Sequence, residues 1–294
     1  PMPSPMERSP AMKAIFKHEL SLYSHGLLAY VFGAFLLEFI GLGAMLYNIN
    51  RAVANFEYAL GSFCIGFIAL VPLLTMRVVA EEKKQKTDQL LSLLPITSTD
   101  IVLGKYFAMA LVFIAPMLVA CVYPFIFSLY GDVYLPSAYG ALIAFVFLGL
   151  ALISIGMFIS SLTESQGMAA GLCVAAMLLC YYASSLADQI SGKFVNVVVL
   201  LVLGGVLALL VNKLTASGLA GGTVFALCAA GVAAVGIAKP SLLESAVPTL
   251  MKTLSPFERF YTFVNGVFDV TGIVYYISVA VFFLFLCVQC WEKK

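Results

Sequence analysis

The feature that most constrains this chain is a succession of apolar runs without a single Asp, Glu, Lys, Arg or His. Tyr58 to Met76 is one, Tyr106 to Leu129 a second and Ala138 to Leu162 a third. About 20 such residues in helical conformation cover the roughly 30 Å of hydrocarbon in a bilayer. Backbone amides and carbonyls have no water to turn to there, so each run must satisfy them internally, as a helix does. Composition agrees. With 62% hydrophobic and 11% charged residues among 294, and a mean hydropathy of +1.04, the chain is unlike a soluble globular domain. The expected fold is all-α, a polytopic helical membrane protein with six to eight transmembrane helices.

Spans are placed at Leu27–Asn48, Tyr58–Met76, Tyr106–Leu129, Ala138–Leu162, Gly167–Leu186, Val195–Val211, Leu219–Ala238 and Gly272–Cys290. Gly204-Gly205 and Gly221-Gly222 weaken the sixth and seventh; if these form a shallow hairpin, six spans remain. Residues 1–11 open with PMPSPMERSP, rich in proline and serine, and are expected to be disordered, with Met12 an equally plausible start. Residues 12–294 then form a single transmembrane domain. No cleavable signal peptide is expected, because the apolar stretch from Gly26 runs too long for one. Met12 to His25 reads as an amphipathic helix lying in the membrane interface. Met12, Ile15, Phe16, Leu20 and Tyr23 gather on its apolar face, and Lys13, Lys17, Glu19 and Ser21 on the other.

Lys and Arg set the orientation. With the N-terminus inside, the inner segments hold Arg8, Lys13, Lys17, Arg77, Lys83, Lys84, Lys86, Lys105, Lys213, Lys293 and Lys294. The outer ones hold only Arg51, Lys193, Lys239, Lys252 and Arg259. Both termini and the segment 77–105 are therefore expected in the cytoplasm, in a cell-membrane protein. Residues 192–247 add two extra apolar stretches. Residues 239–271 carry Pro240, Pro248 and Pro256 among apolar side chains and suggest helices on or dipping into the outer leaflet.

The long polar interruption, Arg77 to Lys105, opens with Arg77, Glu81, Glu82, Lys83, Lys84 and Lys86. It then turns amphipathic with Leu90, Leu91, Leu93 and Leu94. Thr87 or Asp88 can cap a short helix there, and Pro95 disfavours its continuation. A second cap is available in Thr97-Ser98-Thr99-Asp100, leading into the next span. A plain connector has no need of a leucine-rich helix, so a partner outside the membrane is expected to read this element. Ser160-Ser161-Leu162-Thr163-Glu164-Ser165-Gln166 is a second polar connection. It is either a simple turn or a second contact for the same partner.

The chain offers no catalytic engine. Gly104-Lys105 lacks the upstream glycine of a P-loop and is followed by tyrosine. His18 and His25 are the only histidines, and no nucleophile-and-base pair or metal-ligand spacing is evident. The seven cysteines all sit in apolar stretches and read as small buried hydrophobes, with neither a disulfide framework nor a zinc site expected. A net charge of +1 without a basic, aromatic-interleaved stripe gives no ground for a nucleic-acid partner. Glu38 is the one formal charge deep in a predicted span. An acidic group there costs about 2.5–3.5 kcal/mol, so it should face protein or water. It either lines a path or holds helices together as a hydrogen-bonded carboxyl. Gly167-x-x-x-Gly171, and Gly149 with Gly156, permit close helix contact within a subunit or across a dimer.

Several of these stretches, in order, resemble the membrane subunit of an ABC-2-type ATP-binding-cassette transporter. They are Ala80-Glu81-Glu82-Lys83, then Thr87-Asp88-Gln89-Leu90-Leu91-Ser92-Leu93-Leu94-Pro95, then Ile101 to Tyr106, and later Ser160 to Gln166. Met12 to Leu20 is similar to that family's N-terminal interfacial helix. Leu254 to Phe260, Gly266 to Asp269 and the last span resemble its gliding-motility (GldF-like) permease branch. Residues 192–247 depart from the usual six-span plan. The resemblance implies a permease subunit that exports its substrate and is not itself an enzyme. A separate ATPase would carry ATP and Mg and dock on the cytoplasmic face. This chain would bind no cofactor and would pair with a second permease chain, identical or related, in the lipid. Glu81, Glu82, Thr87, Gln89, Leu90, Leu91, Leu94 and Pro95 would form the coupling element, with Thr163, Glu164, Ser165 and Gln166 as the second contact. A structural role for Glu81 and Glu82, pairing with Lys83 to Lys86, is the alternative at those two positions. Two other classes compete. A secondary transporter or channel would work through Glu38 without an ATPase, and a membrane enzyme or scaffold would need no coupling element.

Overall fold

The computed structural model describes residues 5–86, 96–189, 197 and 240–292. Among them every regular element is helical. Residues 1–181 with 259–294 form one compact unit, and residues 182–258 a second.

Helix α1 covers Pro5–His25 and is followed, after Gly26 alone, by α2 at Leu27–Gly43, which continues as a wider π-helical turn, Ala44–Ile49. Glu57–Phe63 is α3 and Phe67–Thr75 is α4, joined by a tight 3-10 step at Cys64–Gly66. A short α5, Ala80–Gln85, closes that limb. Then come α6 at Ser98–Ala120, α7 at Val122–Ser128, α8 at Leu135–Leu162 and α9 at Gln166–Gln189. The last three are α10 at Pro240–Leu254, α11 at Pro256–Val264 and α12 at Val270–Glu292. Six helical stretches among the described residues are long and apolar enough to cross a membrane. They are Leu27–Ile49, Glu57–Gln85, Ser98–Ser128, Leu135–Leu162, Gln166–Ala187 and Val270–Glu292. The spans expected at Val195–Val211 and Leu219–Ala238 lie outside the described residues.

The first unit is built around α8. Its faces meet α4, α6 and α12, while α1 runs along α6. Lipid offers no hydrophobic drive for helix association, so close van der Waals fit must supply it. The centre shows that fit as a run of aromatic rings. Phe67 lies 4.8 Å from Phe145, Phe63 5.4 Å from Phe145, and Phe113 6.1 Å from Phe67, centroid to centroid. Phe260 of α11 joins them, 5.6 Å from Phe145. Phe145 stands ten residues inside α8, about 15 Å along its axis at 1.5 Å per residue, so α11 enters the bundle. Gly149 and Gly156 make the approach possible. A methyl group at Gly156 would stand 2.5 Å from the Thr75 hydroxyl, and one at Gly149 would run into the Phe113 ring.

Three sequence expectations are corrected. Helix α1 begins at Pro5 rather than Met12; a proline at the first helical position forfeits no hydrogen bond. Glu19 belongs to the buried face of α1, not the polar one. The third span opens at Ser98 rather than at Tyr106, which carries Lys105 seven residues into its helix. Its start does follow the expected cap, with the Thr97 hydroxyl accepting from the Asp100 amide at 3.3 Å.

Candidate functional site at the polar end of the bundle

Helix α5 is six residues long, too short to persist alone, so its position is dictated by what fastens it. Glu81 and Glu82 in its first turn and Lys83 and Lys84 in its last suit the helix dipole. Its amino end is capped from another helix. The Ser160 hydroxyl, near the end of α8, accepts from the Ala80 amide at 3.2 Å and the Val79 amide at 3.4 Å. The Lys83 ammonium donates to the Ser161 carbonyl. Lys86 ends the helix in the left-handed conformation, φ 57°.

Lys105 is the centre of the site. Its side chain is 2% exposed and lies 2.6 Å from Glu19 of α1 and 2.6 Å from Glu82 of α5. A third donation, at 3.4 Å, goes to the Val78 carbonyl. An ammonium has three N–H donors, and here three acceptors meet them. That satisfaction matters because an uncompensated buried charge costs about 3–5 kcal/mol. Helix α1 is fixed on either side of this contact. Ile15 packs where Gly104 leaves room, 2.9 Å from the site of a missing Cβ, and the Tyr23 hydroxyl donates to the Leu74 carbonyl at 3.4 Å. Burial, followed by the negative Glu19, pushes the Tyr23 phenol well above its usual range, so it stays a donor. Ile15, Glu19 and Tyr23 thus form one stripe at four-residue spacing.

The same end of the bundle holds two further polar connections. Only Thr163, Glu164 and Ser165 separate α8 from α9, and the Ser165 carbonyl takes the first helical bond of α9, from Ala169, at 2.9 Å. Cys290, near the end of α12, donates its thiol to the Ser161 carbonyl at 3.5 Å. Helix α1, α5, the 163–165 turn and the end of α12 therefore gather on one side. Against this geometry, the model of the ABC-2 family transporter protein matches residues 43–202, more than half of the 294.

The chain belongs to the ABC-2 transporter family.

It is a multi-pass membrane component of a transport system. The matched range takes in α5, Lys105, Ser160 and the 163–165 turn. No curated protein matches the chain in sequence.

The residues expected to couple an ABC-2 permease to its partner fall in three places. Glu81 and Glu82 sit on α5 but part company. Glu81 faces outward, bonded to Arg77 at 2.8 Å with exposures of 30% and 48%, and accepts from Gln85. Glu82 turns inward to Lys105. Thr87, Gln89, Leu90, Leu91, Leu94 and Pro95 lie outside the described residues. Thr163 is buried, Glu164 and Ser165 are exposed, and Gln166 opens α9 half-buried. Glu38 stands apart on an exposed face of α2. Among the described residues it has no hydrogen-bond or ion-pair partner, so it does not tie helices together within that set. Tyr47, near the end of the same span, carries the Arg51 guanidinium 4.8 Å above its ring. Gly171 has open space around it, so the Gly167–Gly171 motif is not spent on packing among the described residues.

Sequence reasoning missed three participants: Lys105 as a hub, Glu19 as its partner, and Ser160 as the cap of α5. A signal existed for one of them. Glu19 lies four residues after Ile15 and four before Tyr23, squarely on the apolar stripe.

Proposed function

We propose that this chain is the permease subunit of an ATP-driven exporter, working with a separate cytoplasmic ATPase. The observation that supports it is the convergence of α5 and the 163–165 turn on one end of the bundle. Residues 87–95 follow α5 in sequence, and α5 is fastened to Ser160 and Ser161 just before the 163–165 turn. In this reading Leu90, Leu91 and Leu94 are the apolar anchor of the ATPase. Glu81, on the outward side of α5, and Glu164 and Ser165 add polar contacts. The ATPase brings ATP and Mg, and its closure pushes the spans between two arrangements. The Lys and Arg balance places this end, with both termini, in the cytoplasm. A second permease chain supplies the cover that Glu38 requires in the membrane. The likeness of Leu254 to Phe260 and Gly266 to Asp269 supports the gliding-motility branch.

The test is co-purification from native membranes. Wild type should bring down an ATP-binding-cassette subunit, and Leu90→Asp/Leu94→Asp should lose it while remaining monodisperse in detergent. If no ATPase accompanies either form, the reading fails.

A further inference from the structure

We propose that Lys105 is a positioning residue, the joint through which a displacement of α5 is passed to the interfacial helix α1. This rests on the ATPase-driven reading above and goes beyond it, because it names the route the stroke takes inside the permease.

The argument starts from what each contact fastens. Helix α5 directly precedes residues 87–95 in sequence, and its Glu82 turns inward. Glu82 meets Lys105 at 2.6 Å, and Lys105 meets Glu19 of α1 at 2.6 Å. The ammonium therefore stands between two elements that are far apart in sequence and both at the polar end. It also stands on a third element, α6, which is part of the membrane-spanning bundle.

Charge decides why this is a joint and not a weld. A buried ammonium with one carboxylate can move only by exposing an uncompensated charge. With two carboxylates, either one can shift while the other keeps Lys105 paired. Helices α1 and α5 are thus free to change position relative to α6 in turn, without a stage at which the cation is alone. Glu81, one residue away, makes no such link: it pairs with Arg77 at a four-residue spacing in the same limb, exposed to solvent.

The output side is built for transmission. Helix α1 is seated on α6 through Ile15 against Gly104 and on α4 through Tyr23. Between α1 and α2 stands Gly26 alone, in extended conformation at φ −85° and ψ 149°. An added Cβ there would lie 2.9 Å from the Leu22 carbonyl. A one-residue elbow has little slack, so movement of α1 reaches the first span, which carries Glu38.

The experiment is hydrogen exchange on the complex purified with its ATPase, comparing the nucleotide-free state with ATP plus vanadate. Wild type should show nucleotide-dependent changes in peptides covering residues 81–97 and in those covering 12–25. Glu19→Gln and Glu82→Gln each leave Lys105 one carboxylate. In both, the response of 12–25 should fall at least threefold while 81–97 still responds. Asp132→Asn, at an exposed position before α8, removes the same charge and should leave both responses unchanged. A purely structural contact would lower protection of 12–25 in both nucleotide states and leave the difference between them intact. That result overturns the joint, as does a wild-type response confined to 81–97. A wild type in which 81–97 itself ignores nucleotide overturns the ATPase-driven reading, and the joint falls with it.

Discussion

At the scale of residues, two glutamates side by side carry opposite consequences. Glu81 and Glu82 are adjacent and chemically identical, yet one faces solvent and the other a buried ammonium. Glu81→Gln removes an exposed pair of the four-residue helical kind, worth about 0.3–0.5 kcal/mol, and should barely move the Tm. Lys105→Met strands two carboxylates in the interior and should cost about 3–5 kcal/mol. Thermal unfolding of the two variants in detergent, followed by tryptophan fluorescence or light scattering, checks the contrast. Equal Tm losses would mean that Lys105 is not the buried centre described here. None of this was legible from residue types. A charge at the edge of an apolar run reads as a snorkelling or cytoplasmic group, and Lys105 was expected just outside its span. Only the start of α6 at Ser98, set by the Thr97 cap, carries Lys105 inward to the carboxylates.

At the scale of elements, the sequence spoke most clearly where the bilayer imposes a single solution. Six apolar runs became six helices, the second running on to Gln85 and the third opening at Ser98, since helical hydrogen bonding is the way such a run satisfies its backbone. The Thr97 cap and the presence of a helix over Met12–His25 were legible for similar local reasons. What sequence could not rank was which glycines are used for packing. Gly149-to-Gly156 and Gly167-to-Gly171 are both small-residue spacings. Gly156 faces Thr75, whereas Gly171 meets open space. Gly156→Ala must therefore displace Thr75 or separate α8 from α4, at about 1–3 kcal/mol, while Gly171→Ala should leave the Tm of the isolated subunit unchanged. The irregular step at Cys64–Gly66 was likewise invisible in the apolar pattern. There the Phe63 ring occupies the space a Gly66 side chain would need, 2.8 Å from its Cβ position.

At the scale of the whole molecule, the bundle sorts its chemistry by end. The middle is aromatic and aliphatic. One end collects the interfacial helix, the buried ion triad, the cap from Ser160 and the short 163–165 turn. That asymmetry is what an ATP-driven permease needs, because a cytoplasmic engine must grip one end and leave the other free for release. Charge counting along the sequence did not show that one of those lysines, Lys105, faces inward. The most direct test of the account is photo-crosslinking in native membranes, with a benzophenone side chain placed at Leu91, at Glu164 or at Tyr134. Leu91 and Glu164 should both capture the same ATP-binding-cassette polypeptide, and Tyr134, at the opposite end of α8, should capture none. If Leu91 and Glu164 stay silent, or if Tyr134 alone finds the ATPase, the central claim that this polar end is where ATP-driven motion enters the permease is wrong.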